Sequence, residues 1–160
     1  MEYGISTILF AADLSHHAPE VARHAAGLAQ KFGAKLHVLH IIEPLSEYAF
    51  SVLDSYLPPE AIETLRQQGG LDAAHQAMQQ RLEQFCREQQ VPADIIAEIK
   101  VAEGLPHRVI LDEIQRIKPD LIVMGSHGQS ALSEIFIGSV AHKVTIKSAV
   151  PVLLVPVKRD

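Results

Sequence analysis

Short apolar runs and longer amphipathic stretches alternate along this chain of 160 residues. Residues 6–13, STILFAAD, are an apolar run closing on an acid and read as a strand. Val21, Ala25, Leu28 and Phe32 follow at the spacing of one helix face, and Gly33 is placed to end that helix. A second strand is predicted over 35–42, KLHVLHII. Residues 94–101, DIIAEIKV, set Ile95, Ala97, Ile99 and Val101 against Ile96, Glu98 and Lys100 in the period of two that marks a third strand. Between these two strands a helix over 71–90 aligns Leu71, Ala74, Met78, Leu82 and Phe85. Ile110, Ile114 and Ile117 mark a further helix that Pro119 stops, and DLIVMG at 120–125 is an unbroken apolar strand of the kind buried on both faces. A last helix over about 139–148 precedes a final strand at 150–156, VPVLLVP, whose prolines suit a sheet edge.

Five strands alternating with four helical stretches imply right-handed crossovers and a mostly parallel sheet covered on both faces. The expected fold is α/β: one doubly wound, Rossmann-like domain over residues 1–160, with a five-stranded parallel sheet in the order 3-2-1-4-5. Ligands of such sheets bind outside the carboxyl ends of the strands at the point where the winding reverses. Here that switch point lies between the first and fourth strands, whose ends carry Ala12 and Asp13 on one side and Met124 and Gly125 on the other. Residues 43–70 are long for a connection and carry Tyr48, Phe50, Tyr56 and the pair Pro58-Pro59. A lid, a partner surface and a plain excursion holding one short helix are all compatible with that composition.

Composition narrows the function. A hydrophobic share of 48% suits a real core, and a net charge of −5 with a pI near 6.0 offers no basic face to nucleic acid or anionic lipid. No apolar run approaches the roughly 20 residues of a membrane helix. The only cysteine, Cys86, has no intramolecular disulfide partner, and MEYGISTILFAADLS has no basic start followed by a long apolar stretch. A cytoplasmic protein is expected.

The stretch MGSHGQSALSEIFIGSV, residues 124–140, concentrates glycines at 125, 128 and 138. Glycine is usually kept where the backbone takes positive φ or approaches a ligand closely. Gly125-Ser126-His127-Gly128 reads as a tight turn whose free N–H groups form an anion-binding concavity. Gly138-Ser139 then opens the last helix, where unpaired N–H groups and the helix dipole favour a phosphate. Asp13, at the neighbouring strand end, suits a ribose hydroxyl or a divalent cation carried by the phosphates. Plain turn residues and a plain helix cap are the alternative, and the tie to Asp13 through topology favours a nucleotide. No GK[ST] follows the glycines and no glycine turn follows the first strand, which excludes the Walker A and Rossmann-fingerprint chemistries.

At these residues the chain resembles the universal stress protein family, in its ATP-binding branch. The pattern G-x2-G-x9-G-[ST] is met by Gly125, Gly128, Gly138 and Ser139, and DLIVMGSHG and AVPVLLVP are similar to the family's flanks. Relatives commonly have a proline before the aspartate and glycine-serine after it; this chain has Ala12 and Leu14-Ser15. The resemblance implies ATP, or AMP or ADP, bound with Mg²⁺ or Mn²⁺. By position it implies a site of Ala12, Asp13, Ile41, Met124, Gly125, Gly128, Gly138, Ser139 and Val140, with Asp13 on the ribose or metal and Ile41 meeting adenine through its backbone. It also implies a homodimer through residues 150–156, with further assembly to a tetramer in some relatives.

The remaining reactive side chains add little. His16-His17 are adjacent, and His37 and His40 sit three apart on a strand and face opposite ways, so neither pair suits one metal ion. His127 and Glu134 read as surface residues and Cys86 as a small core residue. No water-positioning base or γ-phosphate Lys or Arg is evident, so no catalytic residue is assigned. The expected function is a regulatory nucleotide-binding stress protein with an unknown protein partner; the alternative is a slow ATP-hydrolysing or nucleotide-transferring enzyme on the same site.

Overall fold

The structure is a computed structural model that describes residues 3–44, 47–67, 70–127 and 137–157. Five strands, β1 (Thr7–Ala11), β2 (Lys35–Ile42), β3 (Ile96–Glu103), β4 (Leu121–Gly125) and β5 (Val152–Val155), form one sheet in the order β3-β2-β1-β4-β5. Every neighbouring pair is parallel. The expected α/β class and strand order 3-2-1-4-5 are therefore what the chain adopts.

The six described helices are α1 (Ala18–Phe32), α2 (Glu47–Asp54), α3 (Pro59–Gln67), α4 (Gly70–Glu88), α5 (Pro106–Ile117) and α6 (Ser139–Lys147). Alternate residues of each strand feed two separate cores. Ile8, Phe10, Leu36, Val38, Val101 and Val123 pack with the buried faces of α1 and α4, whereas Leu9, Leu39, Ile122 and Met124 pack with α5 and α6. This is the arrangement that makes parallel strands read as continuous apolar runs. Helix α1 meets the sheet through Ala18, Ala22, Ala25 and Ala29, all buried, so its backbone comes close. Phe32, at its last turn, is 48% exposed and is not a core residue. Gly33 ends the helix in the left-handed region at φ 65°, donating to the carbonyls of Ala29 and Gln30.

Three points differ from the sequence expectation. Ala93–Ile95 form a 3-10 turn, so β3 starts and ends two residues later than the alternating pattern indicates. Residues 43–70 hold two helices rather than one, separated at Pro58-Pro59, where proline cannot continue a preceding helix. Of the predicted face of α4, Leu82 and Phe85 are buried, but Met78 is 37% exposed, and the side chain of Leu71 lies outside the described residues.

Candidate functional site

β1 ends first, with β4 running one residue and β2 three residues beyond its last register partners. Ala11 is in register with Leu39 on one side and Met124 on the other, and the Ala12 N–H continues to the Leu39 carbonyl at 2.8 Å. Ala12 and Asp13 thus leave the sheet between Ile41 and Gly125, at the switch point.

Asp13 is held by its own loop. Its Oδ1 accepts from the Ser15 N–H at 3.0 Å and from the Ser15 hydroxyl at 2.9 Å, while Ser15 Oγ accepts from the His17 N–H at 3.3 Å. This Asx-type turn leads into α1. Among the described residues Oδ2 has no partner, so it is the oxygen open to a hydroxyl or cation. Between Asp13 and Ser15, Leu14 adopts φ 57°, a left-handed backbone that costs an ordinary residue roughly 1–2 kcal/mol. Its side chain packs on the α1–α4 core. The strained residue of the crevice is this leucine. Gly125 is not in the left-handed region, and Gly138, at φ −57° and ψ 153°, takes a backbone open to any residue. Backbone freedom is therefore not the reason for glycine at 125 or 138.

Ser126 stitches the site together. Its carbonyl accepts from the Gly138 N–H at 2.8 Å, bringing the start of α6 to the end of β4. Its N–H donates to the Val155 carbonyl at 2.9 Å, and its Oγ accepts from the Val157 N–H at 3.2 Å. Gly138 caps α6 without a side-chain bond, and among the described residues nothing is recorded bonding the N–H groups of its first turn, Ser139 at their head. Val140 and Met124 both pack on the α5–α6 core beneath this corner. A Cβ on Gly125 would touch Val157, the His127 carbonyl and Val21 at 3.4–3.5 Å. Gly128 and Glu134 lie outside the described residues.

The histidines resolve individually. His40 Nδ1 lies 2.7 Å from the Ala12 carbonyl; a carbonyl only accepts, so the proton is on Nδ1. His37 instead lies 3.7 Å from Glu98, consistent with opposite faces. Among the described residues no cluster of His, Cys, Asp or Glu could hold a metal ion. Cys86 is buried, and burial pushes its thiol up to about 11, which keeps it protonated and unreactive, as a core residue. His127 departs from expectation. It is half-buried, not a surface residue, and its Nε2 is shut off from solvent. Ser126, His127 and His40 were not assigned to the site from sequence; the first two flank a motif glycine, which was the available signal, whereas the bond of His40 to a carbonyl 28 residues away had none.

Comparison with known proteins shows the family and the fold. The model of the universal stress protein family matches residues 4–156. A universal stress protein of Thermus aquaticus, from the QAH/OAS sulfhydrylase 3' region, is 33% identical over 93% of this chain and 97% of its own. Universal stress protein Sll1388 of Synechocystis is 32% identical over 95% and 98%. Among solved structures, MJ0577 of Methanocaldococcus jannaschii superposes with a TM-score of 0.70 at 26% identity, covering 99% of this chain and all of that one. UspA of Lactobacillus plantarum gives 0.69 at 25%, covering 96% and 99%. The chain belongs to the universal stress protein family.

Proposed function

We propose that this protein is a regulatory module that binds an adenine nucleotide, ATP or else ADP or AMP, with Mg²⁺ or Mn²⁺, in the crevice between the ends of β1 and β4. The observation that carries the reading is the bond from the Gly138 N–H to the Ser126 carbonyl. It brings the start of α6 beside the turn that leaves β4, at the same carboxyl end of the sheet as Asp13, and a helix start and a tight turn are both sources of anion-binding N–H groups. The donor set suits phosphate, since it is built from backbone N–H groups and the Ser139 hydroxyl. Gly125, Gly128, Gly138, Ser139 and Val140 line the phosphate and ribose in this reading, with Met124 and Ala12 at the strand ends. Asp13 takes a ribose hydroxyl or the nucleotide-borne metal, and the backbone of Ile41 meets the base. A universal stress protein of this fold, 23% identical, has been crystallised in complex with cAMP, a likeness of fold alone.

A cradle of backbone donors binds substrate and transition state about equally, which does not accelerate chemistry. Hydrolysis is therefore expected far below the enzyme median of roughly 10 s⁻¹. No described helix is long and apolar enough to cross a membrane. We read the compartment as the cytoplasm and the assembly as a homodimer through residues 150–156. Gly138→Val puts side-chain atoms where phosphate oxygens approach and is expected to weaken ATP·Mg²⁺ binding at least tenfold, about 1.4 kcal/mol, by calorimetry. Equal titration curves for wild type and variant would remove the site.

A further inference from the structure

We infer that His40 is a positioning residue for the base of the bound nucleotide: its imidazole ties the chain leaving β1 to β2 and keeps the backbone of Ile41 unpaired for the edge of the base. The inference rests on the nucleotide reading above. In a parallel pair, alternate residues of a strand turn both backbone groups to the same neighbour. The Leu39 carbonyl accepts from the Ala12 N–H at 2.8 Å, on the β1 side, and the Ile42 carbonyl accepts from the Gly104 N–H at 3.1 Å, on the β3 side. Odd residues in this part of β2 therefore serve β1 and even ones β3, so Ile41 turns its N–H and carbonyl to the β1 side. By that level β1 has ended: Leu39 is its last register partner, and β2 runs on to Ile42.

Continued in register, the ladder would next carry the Ile41 N–H to the Ala12 carbonyl. That carbonyl instead lies 2.7 Å from His40 Nδ1 and can only accept, so the ring donates to it. Among the described residues neither backbone group of Ile41 has a hydrogen-bond partner. The imidazole thus holds the start of the Ala12–Asp13 loop against β2 in place of the bond the ladder would have made. The same loop carries Asp13, whose Oδ1 is fixed by Ser15, so one side-chain bond sets the base side and the ribose side of the crevice together. An N–H and a carbonyl on one side of an extended residue present a donor beside an acceptor. Their complement is an acceptor beside a donor, as ring N1 and the 6-amino group are on one edge of adenine.

Calorimetry with ATP·Mg²⁺ and with the Mg²⁺ complex of purine riboside triphosphate, which lacks only the 6-amino group, tests this. Wild type is expected to bind ATP about fivefold more tightly, as one net hydrogen bond implies. In His40→Leu, which has no donor, the gap should close to less than about twofold, whereas His40→Asn, whose amide can place an N–H where Nδ1 stands, should keep it. A residue that merely fastened the two strands would weaken both nucleotides alike. Hydrogen exchange in wild type decides the matter if His40→Leu fails to fold. The Ile41 amide should exchange at least about tenfold faster than that of Leu39, and should be slowed by ATP·Mg²⁺ but not by inorganic triphosphate with Mg²⁺. Equal affinity of wild type for the two nucleotides, an unchanged gap in His40→Leu, a gap lost in folded His40→Asn, or an Ile41 amide as protected as Leu39 before ATP is added overturns the inference and leaves the nucleotide reading standing. A flat ATP titration of wild type overturns both.

Discussion

At the β3 edge of the sheet one side chain stands in for a missing strand, whereas at the β5 edge no side chain of the described residues bonds the backbone. Gln79, on α4, donates from Nε2 to the Ile99 carbonyl at 2.8 Å and accepts the Val101 N–H on Oε1 at 3.2 Å. Its second amide hydrogen goes to Glu83 at 3.1 Å, so the whole group is used. Beside it Glu98 and Lys100 put charge on the strand, tied to Arg116 and Glu113 of α5. Strand β5 has four apolar residues between Pro151 and Pro156 and no charge. The Ile122 N–H reaches the Pro151 carbonyl and the Ser126 N–H reaches the Val155 carbonyl, so alternate residues 151, 153 and 155 bond inward to β4. Val152 and Leu154 consequently direct their backbone groups outward. Sheet edges invite pairing with other chains and are normally blunted. In the proposed homodimer, an edge closed by an amide and charges and an edge without such cover among the described residues would direct self-association to a single surface, and two copies of one surface meet about a two-fold axis.

The largest expected effect tests the open edge. Leu154→Pro deletes one of the two outward N–H groups and leaves the inward ladder to β4 in place. It should weaken the dimer at least about 100-fold, near 2.8 kcal/mol. Sedimentation equilibrium would show wild type at about twice 17.6 kDa and the variant at the mass of one chain. A wild-type mass of one chain, or a folded variant that remains dimeric, breaks the contrast between the edges.

The next effect belongs to the charges on the closed side. Glu113 is 6% exposed and accepts from Lys100 at 2.6 Å and from Arg116 at 2.8–3.1 Å. Burial pushes its carboxyl up, but the hydrogen bonds from Arg116 and Lys100 outweigh burial and hold it below the ordinary value of 4.5. A lowered folded pKa means that the contribution to stability is complete above the unfolded value and is lost as pH falls through the folded one. Chemical denaturation should therefore show stability declining as pH drops below about 4.5, with a shallower decline in Glu113→Gln. Glu113→Ala should cost about 2 kcal/mol at neutral pH, less than a fully buried pair because Lys100 and Arg116 can turn to water. A variant with wild-type stability and an unchanged acid limb would make the network ornamental to the fold.

What the sequence could and could not reveal follows the same division. Strand order was legible once the winding was taken to reverse after the third strand, and the placement of Asp13 and Gly125 at the strand ends of the switch point follows from that order alone. The two helices within 43–70 were not, since the apolar residues there are few and Pro58-Pro59 obscures the period. Phe32 fits the helical period but lies past the patch that the alanines of α1 cover, and periodicity cannot say how far a sheet extends. The burial of His127 and the left-handed Leu14 depend on contacts between the crevice loops and the core. Gln79 is a polar residue at a helical position that pattern alone assigns to solvent; its meeting with β3 depends on where α4 is laid down.

That meeting gives the smallest and most discriminating prediction. Gln79→Ala removes two bonds to the β3 backbone, and water can replace part of each at an edge, so the loss should be about 1 kcal/mol in urea unfolding. The stability change alone would not separate a guard from an ordinary surface contact. Placing Gln79→Ala in the Leu154→Pro background does, because β5 is then blunted and any association must use another surface. With the amide gone, Ile99 and Val101 expose a free carbonyl and a free N–H on a strand whose Ile96 and Ile99 are only partly covered. Self-association that reappears in the double variant, and rises with salt as the repulsion between like charges is screened, identifies β3 as an edge held closed by Gln79. A double variant that stays at the mass of one chain up to millimolar concentration would show that Glu98, Lys100 and Glu103 suffice to keep β3 closed.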